Sequence, residues 1–169
     1  MIPLPIQMLF EIFSNDDQFK DNIENIFKTN CSEGNCKLKG DLRDYAVLDG
    51  DVIKDCLGID NVKSVDCILV KGNSEGNIDV LLCELGSGSS GKSVTDVQMK
   101  MQNSGKDIFK LFTKRGVNIN QFKCLYLGKY KLKTRKPGLN RVNIEGSSYH
   151  DIMIQQKSCG FTLNDSFFE

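Results

Sequence analysis

The sequence predicts an α/β fold, a mixed central sheet flanked by helices. Three observations carry that expectation. Residues 64–70 (SVDCILV) and 78–85 (IDVLLCEL) are two apolar runs separated by the turn sequence KGNSEGN, which reads as a β-hairpin. Residues 94–114 place Val94, Val97, Met101, Ile108, Leu111 and Phe112 at helical spacing, and Gly116 follows as a stop. Strand-like segments then recur at 122–132 and 149–155. The order helix, strand, strand, helix, strand, strand suits a mixed sheet covered by helices.

The remaining elements are read in chain order. Pro3 and Pro5 hold the first residues extended. Asp16 or Asp17 caps a helix with Phe19, Ile23, Ile26 and Phe27 on one face. Residues 29–43 are polar, with Cys31 and Cys36 around Gly34, and read as a loop. Residues 45–57 fit a strand or a helix. No internal repeat or linker interrupts the chain, so residues 1–169 are expected to form one domain.

Composition narrows the function classes. Apolar residues make up 40% and charged residues 26%, as in an ordinary globular chain. No run of 18 apolar residues exists, so no membrane span is expected. The first ten residues are apolar but carry no basic cluster, unlike a secretory leader. The seven cysteines are odd in number and scattered. They are therefore expected to be reduced thiols in a cytoplasmic protein.

Charge is segregated although it sums to zero. Residues 1–60 hold twelve acids and six bases. Residues 108–144 hold ten bases and no acid. Such a stretch could neutralise several phosphates, which makes nucleic acid, DNA or RNA, the expected partner. The candidate contacts are Lys129, Lys131, Lys133, Arg135, Lys136 and Arg141. If 129–135 is a strand, Lys129, Lys131, Lys133 and Arg135 project from one face. The competing reading is a solvated surface balanced by the acidic N-terminal part or a partner subunit.

The hairpin supplies the candidate site. With Glu75 at the turn centre, facing residues have numbers summing to 150, so Asp66 faces Glu84 and Cys67 faces Cys83. Asp79 has the wrong parity to join Glu84. Two carboxylates meeting in apolar strands need a cation or a proton between them. Mg²⁺, which favours hard oxygen ligands, is the natural choice, held by Asp66 and Glu84. A one-residue slip, or solvent at both strand ends, would dissolve the pair.

The stretch VDCILV, turn, IDVLLCEL, loop and helix resembles the PD-(D/E)xK, or restriction-endonuclease-like, nuclease superfamily. In that family an Asp near the start of one strand and E-x-K at the end of the next form the site, and a helix follows that often carries Gln or Lys. The resemblance covers roughly residues 60–130 and implies a restriction-endonuclease-like core. It implies metal-dependent phosphodiester hydrolysis on nucleic acid, with Asp66 and Glu84 as the acids and Gln98 on the helix. One departure matters, because Gly86 stands where the family has lysine. An amine positions the attacking water and offsets charge at the phosphate. Lys92 or Lys100 would have to supply it. Otherwise the chain is a catalytically inactive nuclease-like module, binding nucleic acid or a protein partner as a homo-oligomer or within a larger complex.

Residues 86–93, GSGSSGKS, also satisfy the phosphate-loop pattern G-x-x-x-x-G-K-[ST]. Lys92 would reach the phosphates and Ser93 would bind Mg²⁺ in a nucleotide binder. A hairpin before the loop argues against it, because such loops sit on parallel sheets. Weaker candidates complete the reading. Cys31 and Cys36 with Cys56, Cys159 or His150 could hold zinc, though at no standard spacing. Cys67, Cys83 and Cys124 read as core residues. His150 has no nearby nucleophile motif. Glu11 or Glu24 could add a third acid, although exposure fits them better. The aromatics of the terminal DSFFE would dock on the domain or on a partner.

Overall fold

The computed structural model describes residues 4–59, 61–73, 75–133 and 140–168. It is a mixed α/β structure built on a seven-stranded mixed sheet. Helix α1 (Leu4–Ser14) is followed by a short 3₁₀ turn and helix α2 (Ile23–Ile26). Strand β1 (Phe27–Lys28) comes next, then a two-stranded hairpin, β2 (Ser32–Glu33) and β3 (Cys36–Lys37). Strand β4 (Tyr45–Asp49) runs into helix α3 (Gly50–Cys56). Strands β5 (Cys67–Gly72) and β6 (Ile78–Gly86) lead to helix α4 (Val94–Thr113). Strands β7 (Ile119–Gly128), β8 (Arg141–Val142) and β9 (Ile152–Lys157) complete the sheet, in the order β1-β4-β5-β6-β7-β9-β8.

Strands β1, β4, β5 and β6 pair antiparallel in sequence, and α4 crosses over so that β7 lies parallel to β6. The β5–β6 register joins Cys67 to Cys83 and Ile68 to Leu82, so the symmetry about Glu75 holds through the ladder. Alternation then divides β6 between two faces. Val80 and Leu82 join the apolar cluster beneath α1, α3 and α4, which includes Leu9, Phe13, Ile53, Val97, Met101 and Phe112. Leu81, Cys83 and Leu85 face the other way, into a cluster with Cys31, Cys36, Leu38, Leu163 and Phe168. The helices thus cover one face. The β2–β3 hairpin and a C-terminal 3₁₀ turn (Asp165–Phe168) cover the other.

Several expectations are corrected. The first helix occupies Leu4–Ser14, not residues 16–27, because proline is tolerated in a first helical turn and the segment LPIQMLFEIFS is apolar throughout much of its length. The segment expected to be that helix is broken into a 3₁₀ turn, α2 and β1. The loop expected at 29–43 contains the β2–β3 hairpin. Strand β7 ends at Gly128, short of Leu132.

The cysteines depart furthest from the expectation. Cys31 is bonded to Cys67 and Cys36 to Cys159, so four of the seven are paired rather than reduced. Cys56, Cys83 and Cys124 are free, the last two buried. Pairing in two separate disulfides also removes the zinc set proposed around Cys31 and Cys36. The terminal aromatics dock on the chain itself, with Phe168 6.2 Å from the Tyr45 ring. Among the described residues no helix is long and apolar enough to cross a membrane.

Candidate active site

Asp66 and Glu84 meet where β5 begins and β6 ends. Three contacts fix the approach to Asp66. The backbone at Gly50 packs so closely on Val65 that a Cβ there would lie 2.2 Å from the Val65 carbonyl oxygen. Ser64 Oγ donates to Asp51 Oδ1 at 2.8 Å. Ser104 Oγ on α4 accepts the Val65 N–H at 3.0 Å. Asp66 is thereby delivered opposite Glu84, and each carboxylate accepts a backbone N–H from the facing strand. The Asp66 N–H donates to Glu84 Oε1 at 3.1 Å, and the Leu85 N–H donates to Asp66 Oδ2 at 2.9 Å.

Glu84 is fully buried, and both candidate lysines reach it. Lys92 Nζ lies 3.0 Å from Glu84 Oε2, and Lys100 Nζ forms a hydrogen-bonded ion pair with the same oxygen. Two ammonium groups on one buried carboxylate supply the compensation that a buried charge requires. Among the described residues Asp66 has no such partner. Burial first, and the facing Glu84 carboxylate second, push its pKa up to about 7. Lys92 is held above its usual range, because Glu84 outweighs the opposing effect of burial.

The surroundings of Gly86 leave no room for a side chain at that position. A Cβ at residue 86 would lie 2.1 Å from the Tyr126 hydroxyl, so no side chain fits there. The amines come instead from the following loop and helix. That loop is clamped by its neighbours. The Lys133 N–H donates to the Lys92 carbonyl at 2.8 Å, and the Val94 N–H donates to the Lys133 carbonyl at 2.9 Å. A Cβ at Gly91 would meet the Lys131 carbonyl oxygen at 2.0 Å, so glycine permits this close passage.

Glu33 is a third acid that the sequence reading did not identify. It lies at the tip of the β2–β3 hairpin and accepts a hydrogen bond from Ser87 Oγ at 2.9 Å. Burial alone would raise its pKa. The hydrogen bond from Ser87, with the charges of Lys92 and Lys100, holds it below the usual range instead. Glu11 and Glu24, the third acids considered from sequence, are exposed on α1 and α2. Only the acidic side chain between two cysteines marked Glu33, and that pattern carries no chemistry by itself. Asp79 is a useful contrast. It is buried on β6 but held by the amides of Asn120 and Gln121 at 2.9 and 3.2 Å, a closed structural arrangement.

The other candidates are dispersed. Gln98 is on α4 but donates to the Arg141 carbonyl at 2.6 Å, away from the acids. Lys129, Lys131 and Lys133 are exposed beyond the end of β7, with Leu132 buried between them. The single strand face expected for them is replaced by a bend after Gly128 and an extended stretch beside residues 92–94. Arg141 sits on the edge strand β8. Arg135 and Lys136 lie outside the described residues. A cavity of about 620 Å³ joins Gly86–Ser89 to Lys129, Ser158 and the hairpin residues Asn35 and Cys36. A second, of about 580 Å³, shares Lys129 and Ser158 and adds Tyr130, Lys131 and Lys157. Lys157, on β9, is a cation of this surface that the charge pattern of 108–144 missed.

Hard carboxylate oxygens at Asp66 and Glu84 suit a divalent ion that keeps most of its water, the habit of Mg²⁺. Among the described residues no group of three or more His, Cys, Asp or Glu is arranged to hold a metal. The arrangement brings two carboxylates and two amines together at one end of the sheet. No family profile, curated protein or solved structure matches the chain.

Proposed function

We propose that the chain is a metal-dependent phosphodiesterase acting on nucleic acid, similar in its site to PD-(D/E)xK nucleases. The observation that carries this reading is the meeting of Asp66 and Glu84 at one sheet end, with Lys92 and Lys100 both on Glu84. Spacing alone would not bring two amines from a loop and a helix onto one buried acid. A Mg²⁺ ion between Asp66 and Glu84 would polarise the phosphate and lower the pKa of an attacking water. Glu84 orients the two lysines. An amine released toward the phosphate would offset the charge that builds there. Lys129, Lys131, Lys133 and Lys157 would hold the flanking backbone through charge, without reading sequence.

A second reading rests on the same amines. Glu84 Oε2 is already shared by two lysines, which favours a site whose charges are satisfied without metal, and hence a non-catalytic binding module. Two contacts disfavour a phosphate loop at residues 86–93. Lys92 is engaged by Glu84, and β6 pairs antiparallel with β5.

Cleavage of mixed-sequence DNA and RNA, with Mg²⁺ or Mn²⁺ and with chelator, separates the readings. Metal-dependent cleavage is expected. Glu84→Gln should lower it about 100-fold or more while binding persists, because a ligand charge is lost with little change of shape. Binding without cleavage by the wild type would select the inactive module. Undiminished cleavage by folded Glu84→Gln would remove this site from the chemistry.

A further inference from the structure

Tyr130 is an aromatic ring, 44% exposed, set among the lysines that follow β7. Its segment is held on both sides. The Leu132 N–H donates to Gln156 Oε1 at 2.9 Å, and Leu132 itself is buried in the core. The Lys133 N–H donates to the Lys92 carbonyl at 2.8 Å. A Cβ at Gly91 would lie 3.6 Å from Tyr130 Cβ, so the base of this side chain packs on the loop that carries Lys92. Lys129 Nζ stands 5.7 Å from the ring centroid. A ring fixed in this way loses little freedom when a flat partner settles on it. Beside it the two cavities join. The one of about 580 Å³ takes in Tyr130, Lys131 and Lys157, the one of about 620 Å³ takes in Gly86–Ser89, and Lys129 and Ser158 line both. One recess thus leads from Gly86, just past Glu84, to Tyr130 and Lys131. Among the described residues that line it, three are lysines and none is an acid.

We propose that this recess binds a single strand of nucleic acid, with an unpaired base stacked on Tyr130 and phosphates on Lys129, Lys131 and Lys157, so that the strand is led toward Asp66 and Glu84. This rests on the reading of the chain as a nucleic-acid phosphodiesterase and gives the form of its substrate. The ring decides for a single strand over a duplex. A closed duplex keeps its bases stacked on one another and shows a surface only phosphates, sugars and base edges. Lysines alone would serve it, and the ring would be left without a partner. An unpaired base offers a π-face whatever its identity, and a basic track with an aromatic platform holds such strands without reading sequence. The contact of Lys129 with the ring is no obstacle. An exposed cation–π pair is weak, so the amine is free to turn to a phosphate. An acidic peptide would match the lysines but brings no flat face to the ring.

The test is fluorescence anisotropy in chelator, so that binding is read without cleavage. The probe is a labelled mixed-sequence oligonucleotide of about 12 nucleotides, as single-stranded DNA, single-stranded RNA, a blunt DNA duplex and an abasic strand of equal length, with polyglutamate beside them. Wild type should bind the single strand about tenfold more tightly than the duplex. A further preference between DNA and RNA supports the groove and identifies the strand. Tyr130→Ala should lose about tenfold on the single strand at unchanged salt slope, and nothing on the duplex or the abasic strand. Tyr130→Phe, which keeps the ring, should bind as wild type does. Lys129→Ala or Lys131→Ala should instead flatten the log–log salt slope by about 0.7 each. Full single-strand affinity in Tyr130→Ala, or equal binding of strand and duplex by wild type, overturns the proposal and leaves metal-dependent cleavage to its own test. Tighter binding of polyglutamate than of the strand also overturns it, and gives the surface to an acidic protein. Tyr130-dependent binding with no metal-dependent cleavage supports the groove and brings down the phosphodiesterase reading alone. Absence of binding to every oligonucleotide brings down both.

Discussion

The two faces of the sheet are covered by different physics. On one, α4 lays a continuous apolar stripe of Val94, Val97, Met101, Ile108, Leu111 and Phe112 against β6 and β7, and α1 adds Leu9 and Phe13. On the other, a hairpin of four strand residues and a terminal turn are tied down by two disulfides. The helical side is held by area, which depends on many residues a little. The hairpin side is held by a few bonds between residues far apart in the chain. The candidate site lies where the two covers meet. The helical side and its leading loop bring the cations Lys92 and Lys100, and the hairpin brings the anion Glu33.

The largest expected effect separates the two kinds of cover. Loss of the Cys36–Cys159 bond, which spans 123 residues, should lower the unfolding free energy by about 5 kcal/mol on the chain-entropy account. Loss of Cys31–Cys67, which spans 36, should cost about 4 kcal/mol. Met101→Ala, a cavity under α4, should cost about 2–5 kcal/mol through the folded state. Urea unfolding of oxidised and reduced protein gives these values. Hydrogen exchange should show the hairpin opening first on reduction and the α4 side first in Met101→Ala. The same opening pattern in both would mean that the two covers are one cooperative unit.

These faces were unequally legible in the sequence. The α4 stripe and the β5–β6 register could be read because each depends on local period, and the turn at Glu75 fixes which residues face. The facing of Asp66 and Glu84 could therefore be read, whereas Lys92 and Lys100 entered only as substitutes for the lysine that Gly86 replaces in the E-x-K pattern. The disulfide partners could not, since connectivity is set by folding across 36 and 123 residues. With only two residues in each strand, β2 and β3 have no period to read, so Glu33 was hidden with them. Helix α1 was concealed by Pro5, which looks like a breaker but belongs to a first turn. Why residue 86 is glycine was also hidden, because Tyr126 is remote in sequence.

That last point yields the next prediction. Installing the E-x-K lysine of the proposed resemblance with Gly86→Lys should fail rather than improve the site. The new Cβ would meet both the Tyr126 hydroxyl, at 2.1 Å, and its ring carbon, at 2.8 Å. Removing the hydroxyl with Tyr126→Phe relieves only part of this. The clash would drive Tyr126 or the loop carrying Lys92 away, costing about 1–3 kcal/mol, the usual effect of overpacking. Thermal unfolding and cleavage rate should both decline. Higher cleavage by a stable Gly86→Lys protein would show that the loop yields and that position 86 is available to an amine.

The smallest effect concerns what the two covers leave unbalanced between them. Lys92 and Lys100 answer Glu84, but nothing comparable among the described residues answers Asp66, whose pKa is pushed up to about 7 by burial first and Glu84 second, with Glu33 a lesser contributor. An acid raised in the folded state holds its proton more tightly there than in the unfolded chain. Its contribution to stability is therefore full below about pH 4 and is lost as pH rises toward 7. In chelator, Asp66→Asn should be close to neutral at pH 4. At pH 8 it should stabilise the fold by roughly 1–2 kcal/mol, allowing for the partial exposure of the group. Asparagine can still accept the Leu85 N–H, so the backbone contact survives. Glu33→Gln should recover less of this than Asp66→Asn does, because the hairpin presses on Asp66 more weakly than the neighbouring strand. Urea unfolding at both pH values checks the order. Equal recovery by both variants would place the hairpin anion, and not Glu84, as the main neighbour of Asp66, and would tie the charge balance of the site more closely to the stapled cover.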